Sequence, residues 1–582
     1  MSLEKNSIQP YSLEQLRHST AHLLAHAVFE LFPETQLTIG PATPDGFFYD
    51  FLPRKNFKLE DLIPLEERMR EITKRNLPLT HTHMSKQEAR ELFKNNPFKL
   101  ELIDGIQEDV VGIAQQGEFL DLCKGGHVGS TGDIKFFKLH AISGSYWRAD
   151  KNGTALQRIN GTAFFSQEDL DNYERKKNDA IMYDHRKVGK QLDYFSFHDE
   201  GVGFPFFHAK GKIVLNTLRT FMQKTLQDAH YLEIETPMML SDELWRCSGH
   251  YDFYRNNMYF SSIDEKHYAI KPMNCPGSII LYKERPRSYR ELPLRLMEFG
   301  KVHRHELSGV LHGLFRVRAF TIDDTHIYCT LDQIEEEIIR NINVISTVMK
   351  KCGIDKLSVV LSTRPEKSMG SDEMWEKAVN GLKTALEKAN LPYQLAEGDG
   401  AFYGPKIDLH IRDALNRTWQ CGTFQLDMAL PEKFELEYTA PDGSRKRPVM
   451  IHRTIYGSLE RFFGVLIEHF AGRFPLWLSP LQVRLLTVAD RHIEYAEKLL
   501  KKIREAGFHA DVDHSGESVS KKVRNAQLTQ INYILTVGDK EMENHTLNLR
   551  TRNNVVHGEL KLDEFLQKIE KEKKERSLTS PF

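Results

Sequence analysis

Two arginines flank a glycine-bearing loop in the segment Phe299–His326, which reads FGKVHRHELSGVLHGLFRVRAFTIDDTH. Arg304 stands two residues before Glu306, and Arg316 and Phe320 follow beyond the loop. A guanidinium group is planar, stays charged at any working pH and matches the geometry of phosphate. Two β-like runs joined by this loop predict a hairpin that lays arginines along a polyphosphate, with Phe320 as a flat face for a purine. An ordinary surface hairpin with an internal Arg–Glu pair is the alternative that this segment leaves open.

A second segment of this kind lies downstream, where the chain reads MIHRTIYGSLERFFGVLIEHF from Met450 onward. An apolar strand leads through Gly457 into a predicted helix, and Arg461 falls near the N-terminal end of that helix. A guanidinium at this place can cover the other face of the same purine by cation–π stacking. The two segments together favour a nucleotide site over an ordinary surface hairpin.

Histidine and cysteine recur near the N-terminus. His18, His22 and His26 lie four residues apart in RHSTAHLLAHA, so they share one face of the helix that this pattern predicts. The segment DLCKGGH at 121–127 adds a carboxylate, a thiol and a further imidazole. These residues are typical of a metal site, and a helix with a polar stripe explains them equally well.

Cys275, His326 and His452 could also hold a metal, but they are too far apart in sequence for any local zinc-finger spacing. From spacing alone, a buried cysteine and two unrelated histidines are the favoured interpretation.

Composition sets only broad limits. The chain has 582 residues, enough for several domains that each bury a core. Its 79 Lys and Arg residues balance 81 Asp and Glu residues, so any nucleic-acid binding must use local basic patches. The six cysteines form no close pairs, and no long apolar span or signal segment is present. We therefore expect a soluble cytoplasmic protein that does not enter a membrane.

Changes in pattern divide the chain into three predicted domains, at 1–180, 181–478 and 479–582. The first mixes amphipathic helices with short strands and ends in a charged helical linker, and the second holds the two nucleotide segments. The third alternates strand and helix, which predicts a compact parallel-type α/β unit. Within it, the basic run at 521–524 predicts either a phosphate contact or a solvated helix face, and the end from 567 predicts a helix that frays into a flexible tail.

In this order, the two nucleotide segments resemble motifs 2 and 3 of class II aminoacyl-tRNA synthetases. The helical stretch Gly211–His230 followed by YLEIETPMM resembles motif 1, and KPMNCPG at Lys271–Gly277 narrows the resemblance to threonyl-tRNA synthetases. The resemblance runs from about Tyr11 to the C-terminus. It implies a multidomain α/β and α+β protein with a class II antiparallel-sheet catalytic core, an α+β editing domain and a C-terminal α/β anticodon-binding domain. Family members usually begin with a small ubiquitin-like module, for which this chain has no room.

The resemblance implies an ATP-dependent ligation of L-threonine to tRNA(Thr) through threonyl-adenylate, with Mg²⁺ on the ATP. In the family pattern, Arg304 stabilises the α-phosphate, Glu306 reads the adenine amino group, and Arg316 and Arg461 hold the outer phosphates. His250, in SGHYDF, is the residue we expect to assist transfer to tRNA.

The resemblance also reverses the interpretation of the three distant residues, because the family's zinc ligands fall on Cys275, His326 and His452. Such a Zn²⁺ ion would select threonine by its amino and hydroxyl groups. Ile322 and Ser278 depart from the family pattern, which commonly has glutamine and histidine there. The implied amino-acid pocket consists of Met273, Asp324, Tyr403, Gln425 and Ser458.

A zinc ion that reads a hydroxyl group also accepts serine, because the one missing methyl group is worth only roughly 1–3 kcal/mol. A second, hydrolytic site is therefore expected, and the family's HSxxH and DLCxxxH editing motifs occur in the first domain. His26 is outside the motif and is assigned to packing or solvent. The predicted editing residues are His18, His22, Lys99, Asp121, Cys123 and His127.

Glu541 and Arg550 match family residues that contact the anticodon, and motif 1 implies a homodimer. Two rivals remain at this point. One is a synthetase-like protein that binds tRNA or RNA for regulation without charging it, which the retained ATP arginines and zinc ligands disfavour. The other is an enzyme of the same fold for serine or proline.

Overall fold

The computed structural model describes residues 10–150, 153–355, 357–413 and 417–582. The chain divides into two compact units, Met1–Asn178 and Asp179–Phe582. Among the described residues, no helix combines the length and the apolarity needed to cross a membrane.

The first unit is built around a long helix with three histidines on one face. Ser12 Oγ accepts the Gln15 backbone N–H, and Gln15 Oε1 accepts the Ser12 backbone N–H, a capping box that fixes where the helix begins. Leu16, Leu23 and Leu24 pack this helix into the core of the unit. The helices that begin in this unit are Leu13–Leu31, Leu62–Lys74, Lys86–Leu92, Pro97–Gly105 and Gln167–Met182.

Two antiparallel sheets complete the first unit. One has the strand order Gln36–Leu37, Gly46–Leu52, Ala155–Phe164, Phe136–Tyr146, with Ala42–Thr43 also paired to Gly46–Leu52. The other has the order Leu79–Ser85, Val110–Gln116, Phe119–Leu122.

An eight-stranded sheet forms the centre of the second unit. Its five inner pairings are antiparallel, and only the outermost strand at each edge runs parallel to its neighbour. This arrangement confirms the antiparallel core implied by the class II motifs. The strand order is Leu232–Glu233, Leu294–His303, Ala319–Cys329, Val449–Thr454, Thr418–Asp427, Lys406–Arg412, Leu357–Ser362, Tyr393–Ala396.

Helices cover this sheet and shorter strands flank it. The apolar face of Ile334–Lys351 and most of Leu459–His469 are buried in the largest core cluster. The helices are His185–Gln191, Ala209–Asp228, Asp242–Cys247, His250–Tyr254, Cys275–Lys283, Ile334–Lys351, Asp372–Lys388, Ala429–Lys433 and Leu459–His469. The flanking strands are Phe195–Ser196 with Phe206–Phe207, Met239–Ser241 with Lys266–Ile270 and Tyr259–Ile263, and Tyr438–Thr439 with Arg445–Lys446.

A separate five-stranded sheet lies near the C-terminus, with the order Ala510–Asp513, Val483–Thr487, Tyr533–Val537, Leu547–Thr551, Val556–Leu560. The first three strands are parallel as predicted, but the last two run antiparallel. A parallel return needs a crossover of about a dozen residues or more. The short connection after Val537 is therefore suited to an antiparallel one. The helices here are Ile493–Glu505, Val519–Leu528, Asp539–Asn544 and Leu562–Glu575.

The structure corrects two predictions for this region. Lys521 and Arg524 of the basic run are exposed, as predicted for a solvated helix face, and Lys522 is the exception. Lys522, in the basic run, is buried, and its Nζ donates to the Thr487 and Asp513 carbonyl oxygens at 3.0 and 3.2 Å. The C-terminal segment does not hang free, because the Phe582 ring lies 5.7 Å from the Tyr533 ring and Ser580 Oγ lies 2.8 Å from the Tyr533 hydroxyl. Apolar contact at the end of the chain outweighs the polar composition that predicted a loose tail.

Candidate functional site

A cavity of about 400 Å³ lies against the eight-stranded sheet of the second unit. It gathers side chains from three adjacent strands, from the helix Leu459–His469 and from the hairpin loop. The predicted residues that line it are Met273, Cys275, Arg304, Phe320, Asp324, Tyr403, Gln425, His452, Ser458 and Arg461. Ile322 lines it as well, whereas Ser278 is buried and lies 2.9 Å from the Tyr328 hydroxyl.

The strand Ala319–Cys329 orders much of this site along one face. Phe320, Ile322 and Asp324 alternate along the strand and all line the cavity, and His326 continues the same series. The residues between them face the other way. One strand therefore presents a phenyl ring, an aliphatic side chain, a carboxylate and an imidazole, in that order.

Sheet register joins the distant residues of the predicted metal site. His326 pairs with His452 on the next strand, and His452 pairs with Gln425 on the strand after that. Directly opposite residues share a face of a sheet. Cys275 begins the helix Cys275–Lys283, and its Sγ and one nitrogen of each imidazole all lie within 4.8 Å of one another.

The donor atoms of this cluster suit a zinc ion. Both ring nitrogens of His326 are buried and have no hydrogen-bond partner among the described residues. Burial lowers the pKa of His326 well below its usual value, so the imidazole is neutral and able to ligate. Burial raises the pKa of the Cys275 thiol, a penalty that a bound divalent cation would reverse. His452 Nε2 lies 2.8 Å from Asp427 Oδ2, the kind of carboxylate contact that orients a metal-bound histidine.

Polar groups next to this cluster face the same cavity. Asn274 Nδ2 donates to Asp324 Oδ2 at 3.1 Å, and burial raises the pKa of the Asp324 carboxyl. The Tyr403 hydroxyl donates to Gln425 Oε1. A carboxylate, an amide and a hydroxyl group beside a metal site can bind the amine and hydroxyl groups of a small amino acid.

Asp323 fixes the turn that starts the helix Leu459–His469. Its Oδ2 accepts the backbone N–H groups of Ile455 and Tyr456 at 2.8 and 3.1 Å, and its Oδ1 accepts that of Gly457 at 2.9 Å. Asp323 is only 1% exposed. Gly457 has φ +71°, a conformation that glycine adopts most readily. One carboxylate thus holds the backbone that leads into Ser458.

Arg304 and Arg461 reach the cavity from different elements. Ser458 Oγ accepts the backbone N–H of Arg461 at 3.1 Å, an N-cap that sets this arginine in the first turn. Arg461 Nε donates to the Phe315 carbonyl oxygen at 3.1 Å, and burial lowers the pKa of its guanidinium. The Arg304 guanidinium lies 5.1 Å from the centre of the Phe320 ring.

Four predicted residues lie outside the cavity lining. His326 belongs to the candidate metal-binding cluster with Cys275 and His452. Arg316 Nε pairs with Glu306 Oε2 at 3.0 Å, and the Arg316 side chain is 53% exposed, so these two predicted residues contact each other. The fourth, His250, is buried, and its Nε2 lies 3.0 Å from Met273 Sδ.

The first unit brings together the predicted histidine–cysteine set. Cys123 Sγ lies 3.1 Å from His127 Nε2 and 3.5 Å from His18 Nε2. His18 and His22, one turn apart on the helix, have their Nε2 atoms 3.3 Å apart. Burial would raise the pKa of the Cys123 thiol, but hydrogen bonds from the surrounding histidines outweigh it and lower the pKa to about 3. The cluster therefore contains a thiolate.

Asp121 contacts this cluster and belongs to a buried polar network. Its Oδ2 lies 3.0 Å from His22 Nδ1 and accepts the Tyr49 hydroxyl at 2.7 Å, while Lys99 Nζ forms an ion pair with its Oδ1. Lys99 is 2% exposed. Burial opposes the charge on His22, yet contact with Asp121 and Cys123 raises its pKa to about 9. His22 is a cation at neutral pH, whereas burial lowers the pKa of His127.

Sequence reasoning missed several residues of these sites. Tyr49 touches Asp121 from a strand that carries no recognisable motif. Asn274 and Asp323 stand inside the quoted segments KPMNCPG and TIDDTH, where their polarity beside predicted ligands was the available signal. His26 is buried and stacks on Phe119 at 5.1 Å, which makes it a packing residue.

The two residues predicted to contact an anticodon lie in the C-terminal sheet region. Glu541 is in the helix Asp539–Asn544, and its Oε2 accepts the Gly538 backbone N–H at 2.9 Å. Arg550, on the strand Leu547–Thr551, donates from Nη1 to Asn554 Oδ1 at 2.5 Å. Both side chains are partly exposed.

Family models match three parts of the chain. Residues 259–470 match "tRNA synthetase class II core domain (G, H, P, S and T)", which contains the cavity. Residues 482–572 match "Anticodon binding domain", and residues 111–160 match "Threonyl and Alanyl tRNA synthetase second additional domain".

Whole-chain relatives agree with these matches. The chain is 51% identical to the threonine--tRNA ligase of Caldanaerobacter subterraneus subsp. tengcongensis, over 95% of this chain and 86% of that protein. It is also 51% identical to the threonine--tRNA ligase of Protochlamydia amoebophila, over 98% and 88% of the two chains. A crystal structure of the RNA binding domain of threonyl-tRNA synthetase from Cryptosporidium parvum Iowa II is similar, with TM-score 0.65 and 39% identity over 68% of this chain and 99% of that one. The chain belongs to the threonine--tRNA ligase family of class II aminoacyl-tRNA synthetases.

Proposed function

We propose that this protein joins L-threonine to tRNA(Thr) at the expense of ATP and hydrolyses Ser-tRNA(Thr) that it forms by error. The observation that carries the proposal is the placement of Cys275 and His452 in the wall of the same cavity as Arg304 and Arg461. Metal-dependent amino-acid recognition and phosphate binding then meet in one space. Membership of the threonine--tRNA ligase family favours charging over a regulator that only binds RNA.

In the proposed first step, the threonine carboxylate attacks the α-phosphorus of ATP and pyrophosphate leaves. Arg304 stabilises the charge that builds on the α-phosphate, and Arg316 and Arg461 bind the outer phosphates together with Mg²⁺. Glu306 reads the adenine amino group, while Phe320 and Arg461 cover the two faces of the ring. Because no protein nucleophile takes part, catalysis rests on positioning and electrostatics.

ATP binding requires two of the observed contacts to open. Glu306 and Arg316 must separate to meet the adenine and the phosphates, and Arg304 must leave the Phe320 ring for the base to stack there. Exchange of these exposed or half-buried contacts for ligand contacts costs little, because surface ion pairs contribute about 0–1 kcal/mol.

For amino-acid selection we propose Zn²⁺ on Cys275, His326 and His452. When bound there, a zinc ion would offer open coordination positions to the amine and hydroxyl groups of threonine. Asp324 pairs with the substrate amine, and Met273, Tyr403, Gln425 and Ser458 complete the pocket. Valine lacks the hydroxyl group and would leave polar groups unpaired, which excludes it by on the order of 10⁴-fold. His250 is proposed to assist the transfer of threonine to the terminal ribose of tRNA.

For editing we propose the cluster of the first unit. His127, neutral at pH 7 because its pKa is lowered, accepts a proton from the water that attacks the seryl ester. As the ester C–O bond breaks, His127 returns this proton to the ribose oxygen, so that serine and tRNA with a free terminal hydroxyl group leave. His18 positions that water, and His22, held as a cation by Asp121, stabilises the negative charge of the intermediate. Lys99 keeps Asp121 ionised, and the charge on Cys123 keeps His22 protonated.

We further propose domain limits at 1–180, 181–478 and 479–582, anticodon contacts from Glu541 and Arg550, and a homodimer formed through the motif 1 region. In that region Leu232, Met238 and Met239 are exposed apolar side chains. Because the proposed substrates are those of translation, we assign the protein to the cytoplasm.

The test is ATP–pyrophosphate exchange on protein whose zinc content has been measured, with threonine, serine or valine as the amino acid. Strong exchange with threonine, weaker exchange with serine and none with valine is the expected pattern. No exchange with any of them in zinc-loaded protein would refute the proposal and favour the RNA-binding regulator.

A further inference from the structure

His185 is a fully buried histidine at the start of the helix His185–Gln191, and both of its ring nitrogens are engaged. Nδ1 lies 2.6 Å from Glu468 Oε1, which also accepts the His185 backbone N–H at 2.9 Å. Nε2 accepts the Leu314 backbone N–H at 3.0 Å. An acceptor at Nε2 and a carboxylate at Nδ1 require the neutral imidazole with its proton on Nδ1.

The segment Gly313–Phe315 packs on this imidazole. It belongs to the part of the hairpin loop that leads back to the sheet, called here the loop arm. The Phe315 ring centre lies 4.0 Å from that of His185. Gly313 has φ +47°, and a Cβ atom added there would stand 2.2 Å from His185 Nε2. The backbone approaches so closely that only glycine fits, so His185 fixes the path of the chain immediately before Arg316.

The same arm anchors a residue of the cavity. The Phe315 carbonyl oxygen accepts Arg461 Nε at 3.1 Å. Arg461 and Glu468 are seven residues apart on the helix Leu459–His469, hence about two turns apart on one face. This helix face holds the loop arm twice, directly through Arg461 and indirectly through Glu468 and His185. Arg417 forms an ion pair with Glu468 and holds the carboxylate in place.

We infer that His185 is a positioning residue for ATP: by bridging Glu468 to the Leu314 backbone, it holds the loop arm that anchors Arg461 and leads into Arg316. It touches neither ATP nor the reacting atoms. The inference rests on the ATP-binding roles proposed above for Arg316 and Arg461.

Two substitutions separate the halves of the bridge. In His185→Asn, the amide nitrogen takes the place of Nδ1 and keeps the bond to Glu468, but nothing accepts the Leu314 N–H. In His185→Gln, the amide oxygen takes the place of Nε2 and can accept it. We expect His185→Asn to raise the KM for ATP in pyrophosphate exchange by about tenfold or more, with the KM for threonine within about twofold. His185→Gln should recover part of this loss.

His208→Asn is the matched control. His208 also bonds a carboxylate through Nδ1, at 2.6 Å from Asp193 Oδ1, but its other partner is Ser196 and not the loop. The KM of this control variant for ATP should equal that of the unsubstituted protein. If His185→Asn does not fold, Glu468→Gln keeps the shape and weakens the charge-assisted bond, and should raise the KM for ATP by about threefold or more.

The outcomes separate two kinds of failure. If the unsubstituted protein is active and a folded His185→Asn variant keeps its KM for ATP, the inference is wrong. It is also wrong if the KM values for ATP and threonine rise together, as a general loss of structure would cause. If the unsubstituted protein shows no threonine-dependent exchange, the proposed function fails first, and the inference fails with it.

Discussion

Replacing Asp323 with alanine should inactivate the adenylation site without removing any group that touches a substrate. The carboxylate is the acceptor for three consecutive backbone N–H groups, those of Ile455–Gly457. A buried donor without an acceptor costs about 1–3 kcal/mol, so the turn faces a penalty of roughly 3–9 kcal/mol if it stays in place. The turn can avoid this only by moving, and Ser458 and Arg461 follow directly on it.

A displacement of about 1 Å in such a positioning element costs on the order of 100-fold in rate. We therefore expect Asp323→Ala to lower kcat/KM in threonine-dependent pyrophosphate exchange by about 100-fold, equivalent to about 2.7 kcal/mol in activation free energy. Asp323→Asn keeps one carbonyl acceptor and should lose less, about tenfold.

The control is Asp50→Ala in the first unit. Asp50 is equally buried and accepts two bonds from Arg158 at 2.7 and 2.8 Å, so its loss should lower thermal stability and leave the exchange rate unchanged. A folded Asp323→Ala protein that retains kcat/KM within about threefold would refute the reasoning, because the turn would then hold its place without the carboxylate.

Three further results are expected. Cys275→Ala should lower bound zinc from about one ion per chain to a trace, measured by mass spectrometry of the metal, because the proposal makes the thiolate a metal ligand. Threonine-dependent exchange should fall by on the order of 100-fold or more. A variant that keeps both its zinc and its exchange activity would rule out the metal assignment. His22→Ala combined with His127→Ala should leave threonine exchange intact but slow Ser-tRNA(Thr) hydrolysis by on the order of 100-fold, so that mischarged tRNA accumulates; unchanged clearance of Ser-tRNA would remove the editing assignment. Because the pKa of Cys123 is lowered to about 3, its thiolate persists down to pH 5. The rate at which iodoacetamide alkylates Cys123 should therefore change less than about threefold from pH 8 to pH 5. Peptide mapping measures this rate in a Cys247→Ser background. A decline of about tenfold per pH unit, as an ordinary thiol shows, would contradict the lowered pKa.

Local patterns in the sequence predicted the elements that carry the sites. The four-residue spacing of His18 and His22 predicted one helix face, and the structure has their Nε2 atoms 3.3 Å apart. The hairpin and the strand that leads into the helix of Arg461 were likewise predicted from periodicity and turn residues. In each case the interacting residues are neighbours along one element, so spacing determines their geometry.

Contacts between distant segments could not be predicted in this way. Cys275, His326 and His452 meet only because two paired strands and a helix bring them together, and spacing alone favoured unrelated residues. Family resemblance supplied that prediction. Lys522 shows the opposite failure: a charged residue in a basic run predicts solvent, yet two carbonyl oxygens satisfy its ammonium group inside the fold. Tertiary partners decide burial here, and sequence composition does not reveal them.

A single strand carries Phe320, Ile322, Asp324 and His326, and its geometry fixes the spacing of the groups proposed to contact the substrates. Six residues of extended chain span roughly 20 Å, the distance over which a base, phosphates and an amino acid must be arranged. Deleting or inserting one residue within this stretch would turn every later side chain to the opposite face of the sheet. Length changes here are therefore expected to be excluded in evolution even where single substitutions are tolerated. The neighbouring loop between the two strands of the hairpin has no such two-residue period and can vary in length at its tip.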